Sequence, residues 1–302
     1  MVRKMSSLTL HLCLLFFITT VVPSAYGTDG QIKLTQPGEF PLVIDRSGSY
    51  VLTCNITVPT NVNGIEINAD NVTLTLNGHT LIGPGKENSS SGNGIYASSR
   101  QNIFIINGAV QDFGASGIML TGTNHQVKDL RVSGNGLDGI SAASSTIRDC
   151  TASLNGSHGI VASDSAITDC VTHHNEHHGI YAASSTISNC TASLNGSHGI
   201  VASNATIVNC IVYNSGGRGM HASDSTITSC TVNHNGSHGI YASSGCRMES
   251  NNLRNNGGYG IYLSSSYNYA IKNAASANVS GNFYGVSNNY LPTSGDNANY
   301  GW

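Results

Sequence analysis

Charge is what this chain has least of. Only 10% of its 302 residues are Asp, Glu, Lys or Arg, and the formal net charge is -3. So few cations exclude a basic surface for nucleic acid. Apolar residues nowhere recur at three-four spacing and 35 glycines run through the chain, which excludes helices. Long apolar runs are missing apart from Leu8 to Val22, which follows Arg3 and Lys4 and precedes the small residues Ala25-Tyr26-Gly27. That run reads as a secretory signal peptide and is too short for a membrane span. The mature chain is therefore expected to be exported, either secreted or periplasmic, with no span of its own. Low charge does not mean disorder here, because 39% of the residues are hydrophobic and regularly spaced.

What the chain has instead is a period. Cysteine recurs at 150, 170, 190, 210 and 230, and a Gly–Ile or Gly–Met pair at 159/160, 179/180, 199/200, 219/220 and 239/240. A strict period of 20 residues marks a solenoid whose rungs bury their apolar faces against one another. Alternation turns Ile160, Ala162 and Ile167 inward, and Asn-Gly, Ser-Asp and Ser-Asn pairs supply corners. Three short strands per rung predict an all-β, triangular parallel coil. Further pairs at 94/95, 117/118, 139/140, 260/261 and 285/286 bring the count to about ten or eleven coils, a rod roughly 50 Å long. The expected organisation is a signal peptide over residues 1–27, an N-terminal cap over 28–60, repeats over 61–266 and a C-terminal cap over 267–302.

Cys13 leaves with the signal peptide, so seven cysteines remain, five of them in the ladder. Stacked cysteines would point their Cβ atoms in parallel, which disfavours bridging. A buried thiol stack filling space is the favoured reading. One or two disulfides between rungs are the alternative that an exporting compartment permits, and a thiolate metal wire comes third.

The segment Val72-Thr73-Leu74-Thr75-Leu76-Asn77-Gly78-His79-Thr80-Leu81-Ile82-Gly83, with Asn93-Gly94-Ile95-Tyr96 and Ile105-Ile106-Asn107-Gly108, resembles the right-handed parallel β-helix repeat proteins of the pectin-lyase-like superfamily. The resemblance covers about Val72 to Tyr262. It implies a right-handed, single-stranded parallel β-helix with three sheets, a handedness that periodicity alone does not give. In that family an asparagine often stacks inside one corner; here cysteine holds the equivalent column until Asn251. The family includes polysaccharide lyases, galacturonan hydrolases and uronate epimerases. The Asp-Asp, Gly-His-Gly and Arg-Ile-Lys elements of the hydrolases and the Asp-Pro-His-Asp element of alginate epimerases are missing, so the resemblance implies the fold and weighs against a hydrolase.

Four features carry chemistry. Histidine stands just before the repeat glycine at His158, His178, His198 and His238, interrupted by Arg218. A corner reads His173-His174-Asn175-Glu176-His177-His178, in which His174, His177 and His178 are candidate ligands for zinc or copper; no cofactor beyond such a possible divalent metal is implied. An outward column after the inward Ile reads Tyr96, Met119, Ser141, Val161, Tyr181, Val201, His221, Tyr241 and Tyr262. With the glycine column beside it as an open floor, Tyr181, Tyr241, Tyr262, His198 and His238 are expected to bind a sugar chain by stacking. One rung departs from the repeat, and its Arg218 and His221 are candidates to hold a uronate carboxylate and move a proton. Asp149 and Asp169, beside successive ladder cysteines, are expected to be hydrated corner residues. Asn-x-Ser/Thr acceptor sequences occur at Asn55, Asn71, Asn88, Asn155, Asn189, Asn195, Asn204, Asn235 and Asn278.

The expected function is binding, and processing of the eliminase or epimerase type, of a polysaccharide with acidic sugars. The alternatives are a non-catalytic surface or matrix module and a metal-binding β-helix.

Overall fold

The computed structural model describes residues 30–87 and 92–301. The signal-peptide reading falls on residues 1–27, outside the described residues. Every regular element among the described residues is a strand, and every strand pairing is parallel.

One rung shows the construction. Strand Ile160–Ser163 lies on the first face, Ala166–Thr168 on the second and Val171–His173 on the third. Asp164, Asp169 and His174 turn the three corners with φ of 52°, 54° and 55°. The left-handed region disfavours most side chains, and Asn, Asp and Ser tolerate it best because they hydrogen-bond locally. That is why these residue types crowd the corners of the repeat. Leu154 and Leu194 take the same conformation at the third corner and stand 56% and 44% exposed, so the corner geometry overrides side-chain preference there.

Each left-handed residue is followed by one that points inward, and these stack into three ladders. At the first corner the hydroxyls of Ser165, Ser185 and Ser225 each accept a backbone N–H of the preceding rung, as in Ser145 N–H to Ser165 Oγ at 3.0 Å. At the second corner stand the five ladder cysteines, all free and buried. Below them the column becomes Asn251, Asn273 and Asn299. At the third corner runs an asparagine ladder: Asn135, Asn155, Asn175, Asn195, then Ser215, then Asn235, Asn256 and Asn278. The family's asparagine stack is therefore present, one corner beyond the cysteine column. Where asparagine follows asparagine, Oδ1 accepts both the backbone N–H and the Nδ2–H of the rung before, as Asn175 does from Asn155 at 3.2 and 2.9 Å. Buried polar groups at a corner are tolerated because this pattern pairs them.

The columns of Ile160, Ile180 and Ile200 and of Ile167, Ile187 and Ile207 are fully buried, each side chain contributing about 1.5–3 kcal/mol. Twelve strands stack on the first face, from Leu42–Ile44 to Gly281–Gly285, giving a rod about 55 Å long. The first of them escapes a count of Gly–Ile pairs because Pro41 and Leu42 stand where later rungs carry Gly and Ile, and in the last it is Asn282-Phe283, not Gly285-Val286, that lies in that register.

Candidate functional site: a donor-lined strip on the first face

The outward column of the first face is in unbroken register: Met119 pairs Ser141, Val161 pairs Tyr181, Val201 pairs His221, His221 pairs Tyr241, Tyr241 pairs Tyr262 and Tyr262 pairs Tyr284. The glycine column is not a floor beside it. Those glycines face inward, and a Cβ on Gly159 would sit 2.7 Å from the Gly179 carbonyl and 2.8 Å from Asn175 Nδ2. Glycine is required there so that the asparagine ladder can pack under the strand. The residue before it is what borders the strip, and that residue is the histidine column.

The histidines are held in one tautomer. The backbone N–H of His178 donates to His158 Nδ1 at 3.1 Å, that of His198 to His178 Nδ1 at 3.2 Å, that of Arg218 to His198 Nδ1 at 3.0 Å and that of Tyr259 to His238 Nδ1 at 2.9 Å. A backbone amide can only donate, so each Nδ1 is an acceptor and the ring proton resides on Nε2. The four Nε2–H groups find no acceptor among the described residues and reach solvent. His158, at the head of the column, receives its own constraint from Asp138, whose Oδ1 accepts the His158 N–H at 3.0 Å. The column thus presents a row of neutral donors about 4.8 Å apart.

Burial first, then the neighbouring imidazoles His158 and His198, hold His178 down to about 4. Burial, then the Arg218 guanidinium and His221, hold His198 down to about 4. Burial and Arg218 also lower His221 and His238. Histidine charge is therefore withheld from the strip at neutral pH, and Arg218 is the cation in its middle.

The rings stack along the rod. His158 and His178 lie 4.8 Å apart, His178 and His198 4.9 Å, Tyr241 and Tyr262 5.4 Å, and Tyr262 and Tyr284 4.7 Å, with interplanar angles of 20° or less. Ring faces are consumed by one another, so a ligand lying along the strip meets ring edges, phenol hydroxyls and Nε2–H groups. This replaces the expectation of sugar stacking on open aromatic faces. It arises because parallel in-register strands superimpose identical side chains.

Around the odd rung the structure gathers His198, Arg218, His221 and Tyr241. The Arg218 guanidinium carbon lies 3.5 Å from the centroid of the Tyr241 ring, and His221 stands edge-on to Tyr241 at 5.0 Å and to His198 at 5.9 Å. His238 stacks on Tyr262 at 4.5 Å. Tyr181 is not part of this group; it lies two rungs away and 46% exposed, beside His158 and His178. Tyr259 and Tyr284, missed in the sequence, extend the strip. Their signal was positional: Tyr259 occupies the histidine column directly before Gly260-Ile261, and Tyr284 the tyrosine column of a last rung that carries Asn282-Phe283 where the others carry Gly–Ile. At the other end of the strip an open cavity of about 590 Å³ is lined by Lys86, Met119, Leu137, Asp138 and Ser141, and Lys86 reaches along the corner to Glu176 at 3.1 Å.

The metal candidates diverge. His174 and His177 are exposed, His174 is paired with His173 through their Nδ1 atoms at 3.0 Å, and His178 Nδ1 is taken by a backbone amide. Among the described residues no three His, Cys, Asp or Glu side chains stand together in a way that would hold a metal ion. The residues present do not fit such a group. The thiol stack is no better a ligand set, since hydrogen bonds from the Cys150 and Cys190 thiols, and then burial, push the Cys170 thiol far up. Asp149 and Asp169 are exposed corner residues.

The family described as right handed beta helix region matches residues 42–186 and 166–283. Among solved structures, the A-module of the mannuronan C-5 epimerase AlgE4 of Azotobacter vinelandii is similar at 17% identity, over 88% of this chain and 89% of that one, with a TM-score of 0.69. The periplasmic alginate epimerase AlgG is similar at 13% identity over 90% and 77%, with a TM-score of 0.61. The Dettilon tailspike protein gp208 is similar at 16% identity over 90% of this chain and 61% of that one, with a TM-score of 0.58. At such identities the likeness is one of fold. No curated protein matches. With a family match that runs through most of its rungs, the chain belongs to the right-handed β-helix family.

Proposed function

We propose that the chain is an exported protein that binds an acidic polysaccharide lengthwise along the first face. The observation that carries this reading is the row of tautomer-locked Nε2–H donors at His158, His178, His198 and His238 with Arg218 set into it. Donors repeating at strand spacing suit a polymer that repeats its acceptors, and a single guanidinium suits a carboxylate. The tyrosine hydroxyls of Tyr241, Tyr262 and Tyr284 continue the line. That the similar structures include two alginate epimerases supports a uronate polymer as the ligand class.

A second reading, turnover of the eliminase or epimerase type, is favoured by one observation. His221 stands unprotonated beside Arg218, where its lowered pKa keeps it free to take a proton from the carbon next to a carboxylate held by the guanidinium. Titration calorimetry against polygalacturonate, alginate and a neutral glycan tests both, with ultraviolet-absorbing products of elimination and solvent-hydrogen exchange at C5 from epimerisation followed in parallel. Binding of a uronate polymer by the native chain, weakened about tenfold in Arg218→Ala, is the expected result. No heat with any of the three removes the proposal. Product formation that disappears in Arg218→Ala with His221→Ala establishes turnover.

A further inference from the structure

The nine Asn-x-Ser/Thr sequences look equivalent in the sequence. Eight fall within the described residues, and the fold divides them into two groups of four. Asn155, Asn195, Asn235 and Asn278 are rungs of the third-corner ladder, between 0% and 8% exposed. Their amide nitrogens are committed: Asn155 Nδ2 donates to Asn175 Oδ1 at 2.9 Å, Asn195 Nδ2 to the Thr172 carbonyl at 3.3 Å, Asn235 Nδ2 to Asn256 Oδ1 at 3.0 Å and Asn278 Nδ2 to the Leu253 carbonyl at 3.0 Å. Asn55, Asn71, Asn189 and Asn204 are exposed. Asn55 and Asn71 use only their Oδ1 atoms, as acceptors from the Thr80 N–H and from Asn102 Nδ2, and Asn189 and Asn204 use no side-chain atom at all.

The same division runs through the third residue. All four exposed sequences end in threonine, at Thr57, Thr73, Thr191 and Thr206, and all four ladder sequences end in serine, at Ser157, Ser197, Ser237 and Ser280. Threonine is stiff at χ1, so its hydroxyl is presented in fewer directions than that of serine.

We propose that Asn55, Asn71, Asn189 and Asn204 are acceptors of N-linked oligosaccharide and that the four ladder asparagines are not. In the transfer, Nδ2 attacks the anomeric carbon of a lipid-diphosphate-linked oligosaccharide. The bond from that carbon to the diphosphate oxygen breaks, an N–C bond forms, the amide loses one proton and the lipid diphosphate leaves. A sugar on a ladder amide would remove a donor from the corner and place a bulky group inside the coil, so a folded rod carries none there. Asn189 turns the corner between the second and third faces. Asn204 turns the corner at the end of its first-face strand remote from the histidine column. Glycans at both therefore leave the donor strip open.

The full chain is secreted from a eukaryotic host behind an added leader, so that entry into the pathway does not depend on residues 1–27. Glycans are released enzymatically in heavy-oxygen water, which converts each occupied Asn to a labelled Asp, and peptides are read by mass spectrometry. Label is expected at all four exposed asparagines and at none of the ladder ones. Thr191→Ala and Thr206→Ala, at positions that are not buried, should each lower the mass by one glycan without altering the far-ultraviolet spectrum. Label on Asn155, Asn195, Asn235 or Asn278 in the folded rod overturns the proposal, as does absence of label from Asn189 and Asn204 in the secreted chain. Peptides from 151–163 and 191–203 are identical, so Asn155 and Asn195 are read together; both are expected empty.

Discussion

The backbone N–H of Arg218 donates to Nδ1 of His198 at 3.0 Å. One bond therefore fixes the tautomer of a histidine and ties the odd rung to the regular rung before it. Protonating His198 would place a hydrogen on the atom that accepts, so acid attacks the backbone ladder as well as the side chain.

The pH dependence follows with a definite sign. Free histidine titrates near 6.5, whereas His178 and His198 are held down to about 4, so in that interval the unfolded chain binds more protons. Stability is full above about pH 6.5 and is lost as pH falls toward 4. Allowing for solvent screening of half-exposed rings, each of the two contributes about 1–2 kcal/mol. Urea midpoints between pH 7.5 and 4.5 check this, and His198→Gln, whose amide oxygen can still accept, should flatten the curve. A midpoint constant over that range contradicts the locked column.

Ser215 interrupts the asparagine ladder. Its hydroxyl is buried without a partner, and Asn195 finds no side-chain oxygen below it to take its backbone N–H. Ser215→Asn should restore both bonds and stabilise the rod by about 1 kcal/mol. Val232 and Asn235 already coexist in the next rung, so Val212 leaves room for the amide. Asn195→Ala is the opposite case and should cost about 2–3 kcal/mol, because two buried groups lose their acceptor. Thermal unfolding of the two variants beside the native chain decides.

The thiols should be inert until the rod opens. Cys54 is partly exposed, while the other six described cysteines are buried. Cys190 and Cys210 are pushed up to about 12, while Cys230, lowered by its hydrogen bond with the Cys210 thiol, is shielded by burial instead. A thiol reagent is expected to modify Cys54 alone at neutral pH and the remainder only in denaturant. Rapid native modification of several thiols would place them at the surface.

Along the strip, ring edges and hydroxyls should matter more than ring faces. Tyr262→Phe is therefore expected to weaken polysaccharide binding nearly as much as Tyr262→Ala, about fivefold, which is ~1 kcal/mol for one hydrogen bond. Affinity preserved in the Phe variant would return the contact to the ring itself.

The rod was legible because a 20-residue period leaves few ways to bury Ile160 and Ile167, and the cysteine column followed from the same count. The asparagine ladder was not, since Asn155 sits in an Asn-Gly pair that reads as a turn, and a left-handed residue before it, Leu154, resets the alternation. The inward direction of Gly159 was hidden for the same reason. Nothing in the sequence announces that His198 bonds a backbone amide one rung away, nor that Tyr241, Tyr262 and Tyr284 spend their faces on each other. Those depend on register, which only the stacked strands supply. The odd rung was visible as odd at Arg218 and His221; its weakness at Ser215 was not.

The identity of residues 151–163 with 191–203 has a consequence for the length of the molecule. Excising residues 151–190 would join Cys150 to Thr191, and Cys150 would be followed by the same thirteen residues as before. Every ladder would close over the cut, and small-angle scattering should register a rod shorter by about 10 Å. Size in this protein is thus an adjustable quantity, set by how many copies of a two-rung unit the gene holds, and each unit brings two histidines of the donor row with it, His158 and His178 in the excised one.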